Sequence, residues 1–151
     1  MLVYRICRKA RQKLDGEGAR LYGGRWNYAG RAVVYTASTL SLAAIEYLVH
    51  VDPGDAPNDL IATTLDVPDD VVREIVKVAD LPFGWNKKPL HSACRDAGDA
   101  WLLKGKTLVL QVPSAPIAGE SNYLLNPAHA AMRQIRVVGK RAFVFDRRLS
   151  R

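Results

Sequence analysis

Five glycines fall within fifteen residues, at positions 16, 18, 23, 24 and 30, and no other feature constrains the fold of this chain as strongly. Glycine loses the most backbone freedom on ordering and weakens both helices and strands, so residues 16–30 are expected to form a loop rather than a regular element. The elements on either side must then carry the fold. Leu2 to Cys7 alternates apolar and polar residues as a half-buried strand does. Ala32 to Ala37 (AVVYTA) is apolar and β-branched and predicts a second strand. A helix follows it, with Leu42, Ile45, Leu48 and Val49 at helical spacing and Ser38, Thr39 or Ser41 available as its cap.

Further along, residues 52–59 read as a Pro/Gly/Asp linker and Leu60 to Val67 as a strand. Pro68 is placed to open a short helix running to Val78, and LPFGWNKKP as a loop. His91 to Lys104 is expected to be helical despite Gly98, Lys106 to Val112 extended, and Ile135 to Val138 and Ala142 to Phe145 two short strands. Strands and helices mix without a βαβ rhythm, which predicts an α+β fold on an antiparallel or split sheet. With 151 residues, 48% of them apolar, the chain is read as one domain, 1–151, able to bury a core without staples.

The longest apolar-leaning stretch, Thr39 to Val51, is broken by Ser41, Glu46 and His50, short of the roughly 20 apolar residues a membrane span needs. The basic first residues show no apolar leader, and Cys7 and Cys94 stand far apart outside any CxxC spacing. A cytoplasmic protein with no membrane contact and no metal site is expected. Charge is uneven: residues 1–31 hold eight Lys/Arg against two acids, residues 133–151 seven against one, and the segment between them is acidic. Two basic ends around an acidic middle suit nucleic acid, an acidic partner, a phosphate-bearing small molecule, or simply a solubilising surface.

Three segments have the residues for chemistry. In GEGARLYGGRWNYAG, glycines permit close backbone approach and Arg25 offers a planar two-pronged donor for carboxylate or phosphate, although the spacing is neither a dinucleotide fingerprint nor a P-loop. The same stretch also reads as a turn with an exposed Arg and a core Trp. Glu46 lies beside the apolar helix stripe, where an acid is costly unless paired; it is either a functional carboxylate or a boundary residue reaching out to solvent or bonded to His50. Ser114 stands at the tip of a strand, with Asn122 and His129 after it in a turn-rich segment where Asn122 reads equally as a turn residue, but without the GxSxG turn that a hydrolase nucleophile uses. Tyr22, Trp26 and Tyr35 are candidates for stacking on a planar ring or for the core.

Taken together, GEGARLYGGRWNYAG, AVVYTASTLSLAAIEYLVH and VPSAPIAGESNYLLNPAH resemble the RES domain, in that family's order and over nearly the whole chain. The resemblance implies a fold similar to the ADP-ribosyltransferase toxins and an enzyme acting on NAD as substrate, with no cofactor. Nicotinamide would leave, and the ADP-ribosyl group would pass to water, to inorganic phosphate or to a protein. It implies catalytic roles for Arg25, Tyr35, Glu46 and Ser114. Arg25, backed by Gly23 and Gly24, would hold the pyrophosphate, Tyr35 would border the nicotinamide, and Glu46 would stabilise the oxocarbenium-like charge. Ser114 would orient ribose or carboxamide, Asn122 would brace the loop, and Arg5 would be a further phosphate contact. For phosphorolysis, Arg5, Arg20 and Arg25 would be candidates for a second anion site. The resemblance also implies a helix-turn-helix antitoxin of the Xre type as hetero-oligomeric partner, which would carry any DNA binding. Two rival readings are a basic nucleic-acid-binding module, in which Glu46 is dispensable, and a non-catalytic scaffold.

Overall fold

A computed structural model describes residues 1–51 and 55–150, so residues 52–54 of the expected linker lie outside the described residues. Ten elements follow in order: β1 (Leu2–Arg8), α1 (Glu17–Tyr22), β2 (Val34–Ala37), α2 (Leu40–Leu48), β3 (Leu60–Asp66), β4 (Arg73–Ile75), α3 (Ser92–Lys104), β5 (Val109–Pro113), β6 (Ser121–Leu125) and β7 (Arg136–Phe143). The strands form one seven-stranded sheet in the order β4-β5-β6-β2-β1-β3-β7. Only β4 and β5 run parallel. This is the expected α+β architecture, on a sheet that is antiparallel except for that one pair.

Register decides which side chains share a face, because successive residues of a strand point to opposite sides. Tyr4 lies opposite Ala37 and Thr64, Ala37 opposite Asn122, and Asn122 opposite Val112. These residues, with Ile6, Tyr35, Ala62, Leu110 and Leu124, therefore line one face. Under α2 that face buries Ile6, Ala37, Leu42, Ala43, Leu60 and Ala62. Nearer α3 it buries Trp26, Trp85, Cys94, Trp101, Leu110 and Leu124. The opposite face carries Val3, Arg5 and Cys7 from β1, and part of it is closed by Val34, Leu65, Val109 and Leu125 against Leu14 and Met132. Cys7 and Cys94 are both buried free thiols, and no helix among the described residues is long and apolar enough to cross a membrane.

Thr39 is the cap of α2: its hydroxyl accepts from the Leu42 amide at 3.0 Å. Four local expectations change. The glycine-rich stretch contains α1, because Gly16 (φ 68°) and Gly23 (φ 71°) supply the positive-φ backbone that bounds it. Asp15 accepts from the Glu17 amide, and Glu17 pairs with Arg20 one turn on. The helix expected from Pro68 to Val78 is replaced by β4 and a 3-10 turn at Val78–Asp80. A segment rich in Val and Ile gains more from pairing alongside Val109–Gln111 than from its helix-opening proline. Residues 121–125, read as turn-rich, are β6. The two C-terminal strands are one continuous β7, with a bulge opposite Thr64/Leu65 that keeps it paired to β3.

Candidate functional site

Glu46, in the last turn of α2, meets side chains from the end of β5 and the start of β6. Ser114, just past β5, donates its hydroxyl hydrogen to Glu46 Oε1 at 2.8 Å, and Asn122 Nδ2 donates to the same oxygen at 2.5 Å. Glu46 Oε2 has no hydrogen bond to any described residue. Ser114 is buried, accepts from the Ile117 amide, and has its own amide tied to the Glu120 carbonyl at 2.9 Å. Its hydroxyl is thus fixed on the acid. Asn122 Oδ1 is buried without a partner among the described residues. Rotating the amide would turn that oxygen towards the carboxylate, so the bond to Glu46 also sets the amide's orientation. Such an unpartnered acceptor is costly and typical of a site under functional constraint.

A second group fixes the loop that bears Arg25. The Tyr35 hydroxyl donates to Asn27 Oδ1 at 2.7 Å and accepts from the Trp26 amide at 3.1 Å. Asn27 is fully buried and donates to the carbonyls of Ala19, Tyr28 and Arg31, so one side chain holds both arms of the turn. A Cβ on Gly24 would come 2.6 Å from the Tyr35 hydroxyl. A side chain there would displace Tyr35, so the absence of one at Gly24 makes room for the tyrosine. Gly98 on α3 makes room in the same way, since a Cβ there would sit 1.8 Å from the Trp26 carbonyl oxygen. The loop also meets α3 through Tyr28, whose hydroxyl donates to Asp96 and whose amide donates to Asp99. Arg95 lies over the Tyr28 ring.

Arg25 leaves this turn toward residues 85–87. Its Nη1 donates to the carbonyls of Trp85 (2.5 Å) and Lys87 (3.4 Å), and Nη2 to that of Asn86 (3.4 Å). A guanidinium has five N–H donors, so two remain for a ligand. No carboxylate pairs with it among the described residues. The charges of Arg25 and Glu46 both bear on Tyr35 and on His50, which places acid and arginine around one region. Burial pushes the Tyr35 phenol far above the usual tyrosine range. Its hydroxyl stays protonated and serves as a strut, not a base. Burial also lowers His50, with Lys88 adding to the effect and Glu46 opposing it. His50 makes no hydrogen bond to Glu46.

Five of the sequence-named residues, Arg25, Tyr35, Glu46, Ser114 and Asn122, thus converge with Gly24 on one sheet face, though several contacts differ from those expected. Ser114 and Asn122 bind the acid, and Tyr35 supports the arginine loop. Arg5 is not among them. It lies opposite Thr63 on the other face of the sheet and donates to the Lys13 carbonyl at 3.1 Å, so the strand alternation turns it away from Glu46. Arg20 is engaged by Glu17 in two bonds of 2.7 Å. His129 caps the 3-10 helix Ala130–Gln134 by accepting from the Ala131 amide and forms no triad with Ser114. Asn27, Gly98 and the 85–87 carbonyls carry no sequence signal of their own: a buried Asn reads as a turn residue, and backbone acceptors are indifferent to residue type.

A family model described as the RES domain matches residues 2–146. Curated relatives cover almost the whole chain. One, named Prs ADP-ribosylating toxin, from Sphingobium sp. (strain YBL2), is 36% identical over 154 residues, spanning 98% of this chain and 96% of the relative. Another, named Toxin Res, from Photorhabdus laumondii, is 37% identical over 153 residues, spanning 99% and 97%. A Toxin Res from Yersinia enterocolitica is 35% identical, spanning 99% of each. Among solved structures, a chain of the M. tuberculosis MbcT-MbcA toxin-antitoxin complex superposes with a TM-score of 0.77 at 21% identity, covering 95% of this chain and 84% of that one. It shares the fold.

Proposed function

The chain belongs to the RES domain family, and on that premise we propose that it is the toxin of a toxin–antitoxin pair and breaks the bond between nicotinamide and ribose in NAD. The observation that carries the reading is the hold on Glu46: one carboxylate oxygen takes two donors, from Ser114 and Asn122, and the other is left unbonded. Such an acid is oriented before substrate arrives and needs no reorganisation as charge develops.

Bound NAD would place its nicotinamide ribose against Glu46 Oε2 and its pyrophosphate on the two remaining donors of Arg25, a charge-assisted contact suited to a planar fork. As the C1″–N bond breaks, the electron pair goes to the nicotinamide nitrogen and discharges the pyridinium. The positive charge left on the ribose C1″–O unit is stabilised by the Glu46 carboxylate, the task such groups perform in glycosidases. An acceptor oxygen then bonds to C1″ and its proton passes to solvent. Water gives ADP-ribose and inorganic phosphate gives ADP-ribose 1″-phosphate. A protein side chain as acceptor gives an ADP-ribosylated protein, a second reading favoured by the relative named Prs ADP-ribosylating toxin. The partner in this reading is an antitoxin of the Xre type that covers the site.

The test is NAD consumption by the purified chain, freed of antitoxin, with products resolved by mass spectrometry in water, in phosphate buffer and with cell lysate. Nicotinamide release is expected in at least one arm, and the co-product names the acceptor. Folded protein that leaves NAD intact in all three arms overturns the reading.

A further inference from the structure

β7 closes the sheet on one side only. It is eight residues long, pairs with β3, and has no other backbone partner among the described residues. The opposite edge strand, β4, has three residues. Long unpaired edges invite another strand, and proteins usually blunt them with proline, a bulge or a cover. Here the bulge falls at Val138, and Gly139–Phe143 runs in regular register opposite Thr64–Leu60, with no proline. Lys140, Arg141 and Ala142 are exposed, as are Val137 and Val138.

Beside this edge lies a cavity of about 270 Å³ on the same sheet face as Glu46, lined by Tyr4, Leu40, Ala62, Thr64, Gly139 and Arg141. Gly139 has no side chain to fill it. A strand added along β7 would send alternate side chains to this face, so one of them would stand over the cavity beside the Arg141 guanidinium. Neither Lys140 nor Arg141 makes an ion pair among the described residues, whereas Arg136 is neutralised by Asp66 and Arg148 by Asp146. The edge is therefore cationic where it is regular. A second copy pairing antiparallel about Lys140 and Arg141, within the regular stretch, would set Lys140 directly opposite Arg141 of the other copy, and like charges directly opposite are destabilising.

We infer that the Gly139–Phe143 edge of β7 takes an extended, acidic segment of a partner protein as an eighth strand, with one of its side chains seated in the cavity beside Gly139 and Arg141. The inference rests on the antitoxin reading for the identity of that partner. Main-chain pairing supplies affinity and the cationic cavity supplies selectivity. It also gives the basic C-terminal end a use that the NAD site does not require.

The experiment is amide hydrogen exchange of the full chain, alone and in complex with its co-expressed antitoxin, together with the double variant Lys140→Glu/Arg141→Glu. Amides of residues 139–143 are expected to exchange fast in the free chain and slowly in the complex. The double variant is expected to weaken the complex about tenfold or more, while keeping wild-type nicotinamide release and melting temperature. Unchanged exchange at 139–143 in a complex whose NAD cleavage is blocked overturns this inference and leaves the functional reading standing. Absence of both NAD cleavage and antitoxin binding in the wild-type chain would instead count against that reading and this one. Concentration-dependent protection in the chain alone would identify a second copy, and protection by an oligonucleotide duplex a nucleic acid; either overturns the proposal.

Discussion

Two donors ending on one oxygen make Glu46 the residue on which activity should depend most sharply. Glu46→Gln keeps the shape and can still accept from Ser114 and Asn122, but replaces the unbonded oxygen with a donor and removes the charge. Nicotinamide release is expected to fall at least about 10²-fold with the melting temperature nearly unchanged. Wild-type release by that variant would remove Glu46 from the chemistry. Tyr35 works differently. Tyr35→Phe leaves the buried Asn27 oxygen and the Trp26 amide without partners, at a cost of about 1–3 kcal/mol, to be read by denaturant unfolding. The tyrosine also imposes a pH dependence with a definite sign. Its folded pKa lies above the unfolded value of about 10, so the folded state holds the proton more tightly, and stability falls as pH rises past that unfolded value. The alkaline loss should be shallower in Tyr35→Phe. An equal slope in both proteins would refute the strut.

α3 and the arginine-bearing turn are joined at closest approach by Gly98, and this is the element-scale constraint on the site. Gly98→Ala adds a methyl group 1.8 Å from the Trp26 carbonyl oxygen, so either helix or turn must move. Overpacking of this kind costs about 1–3 kcal/mol, and because Trp26 adjoins Arg25, nicotinamide release should fall beyond what stability explains. Full activity in a folded Gly98→Ala protein would show that the turn tolerates displacement. The sequence announces such elements unevenly. β2 and α2 were legible because β-branched alternation, a Thr cap and helical periodicity agree. β4 was not, because its extended conformation is set by pairing with Val109–Gln111, and β6 was not, because Asn122 departs from apolar alternation to bind Glu46. The resemblance brought Arg25, Glu46 and Ser114 together, but strand register alone shows that Arg5 points the other way. What Ser114 and Asn122 touch is equally invisible without the fold, since one reads as a serine at a strand tip and the other as a turn residue.

Across the whole molecule, the two basic chain ends are brought to one side by the strand order β1-β3-β7. Arg5 and Lys140 both lie opposite Thr63, on the face away from Glu46, two strand spacings or about 10 Å apart. That separation is close to the screening length at 0.1 M salt, so their fields add at low ionic strength and fade above it. Arg5 and Lys140 are therefore separated from Glu46 by the thickness of the sheet, and under the proposed function they are expected to act in partner encounter rather than in substrate contact. Arg5→Gln should leave the KM for NAD and the rate of nicotinamide release at wild-type values. It should slow association with the antitoxin at low salt by several-fold, a part of the about 10–10³ by which steering as a whole accelerates encounter, and the difference should vanish in concentrated salt. Stopped-flow association across a salt series, run beside the NAD assay, separates the two roles. A raised KM for NAD would return Arg5 to the substrate site. A wild-type association rate that does not change with salt would deny the basic face any part in steering.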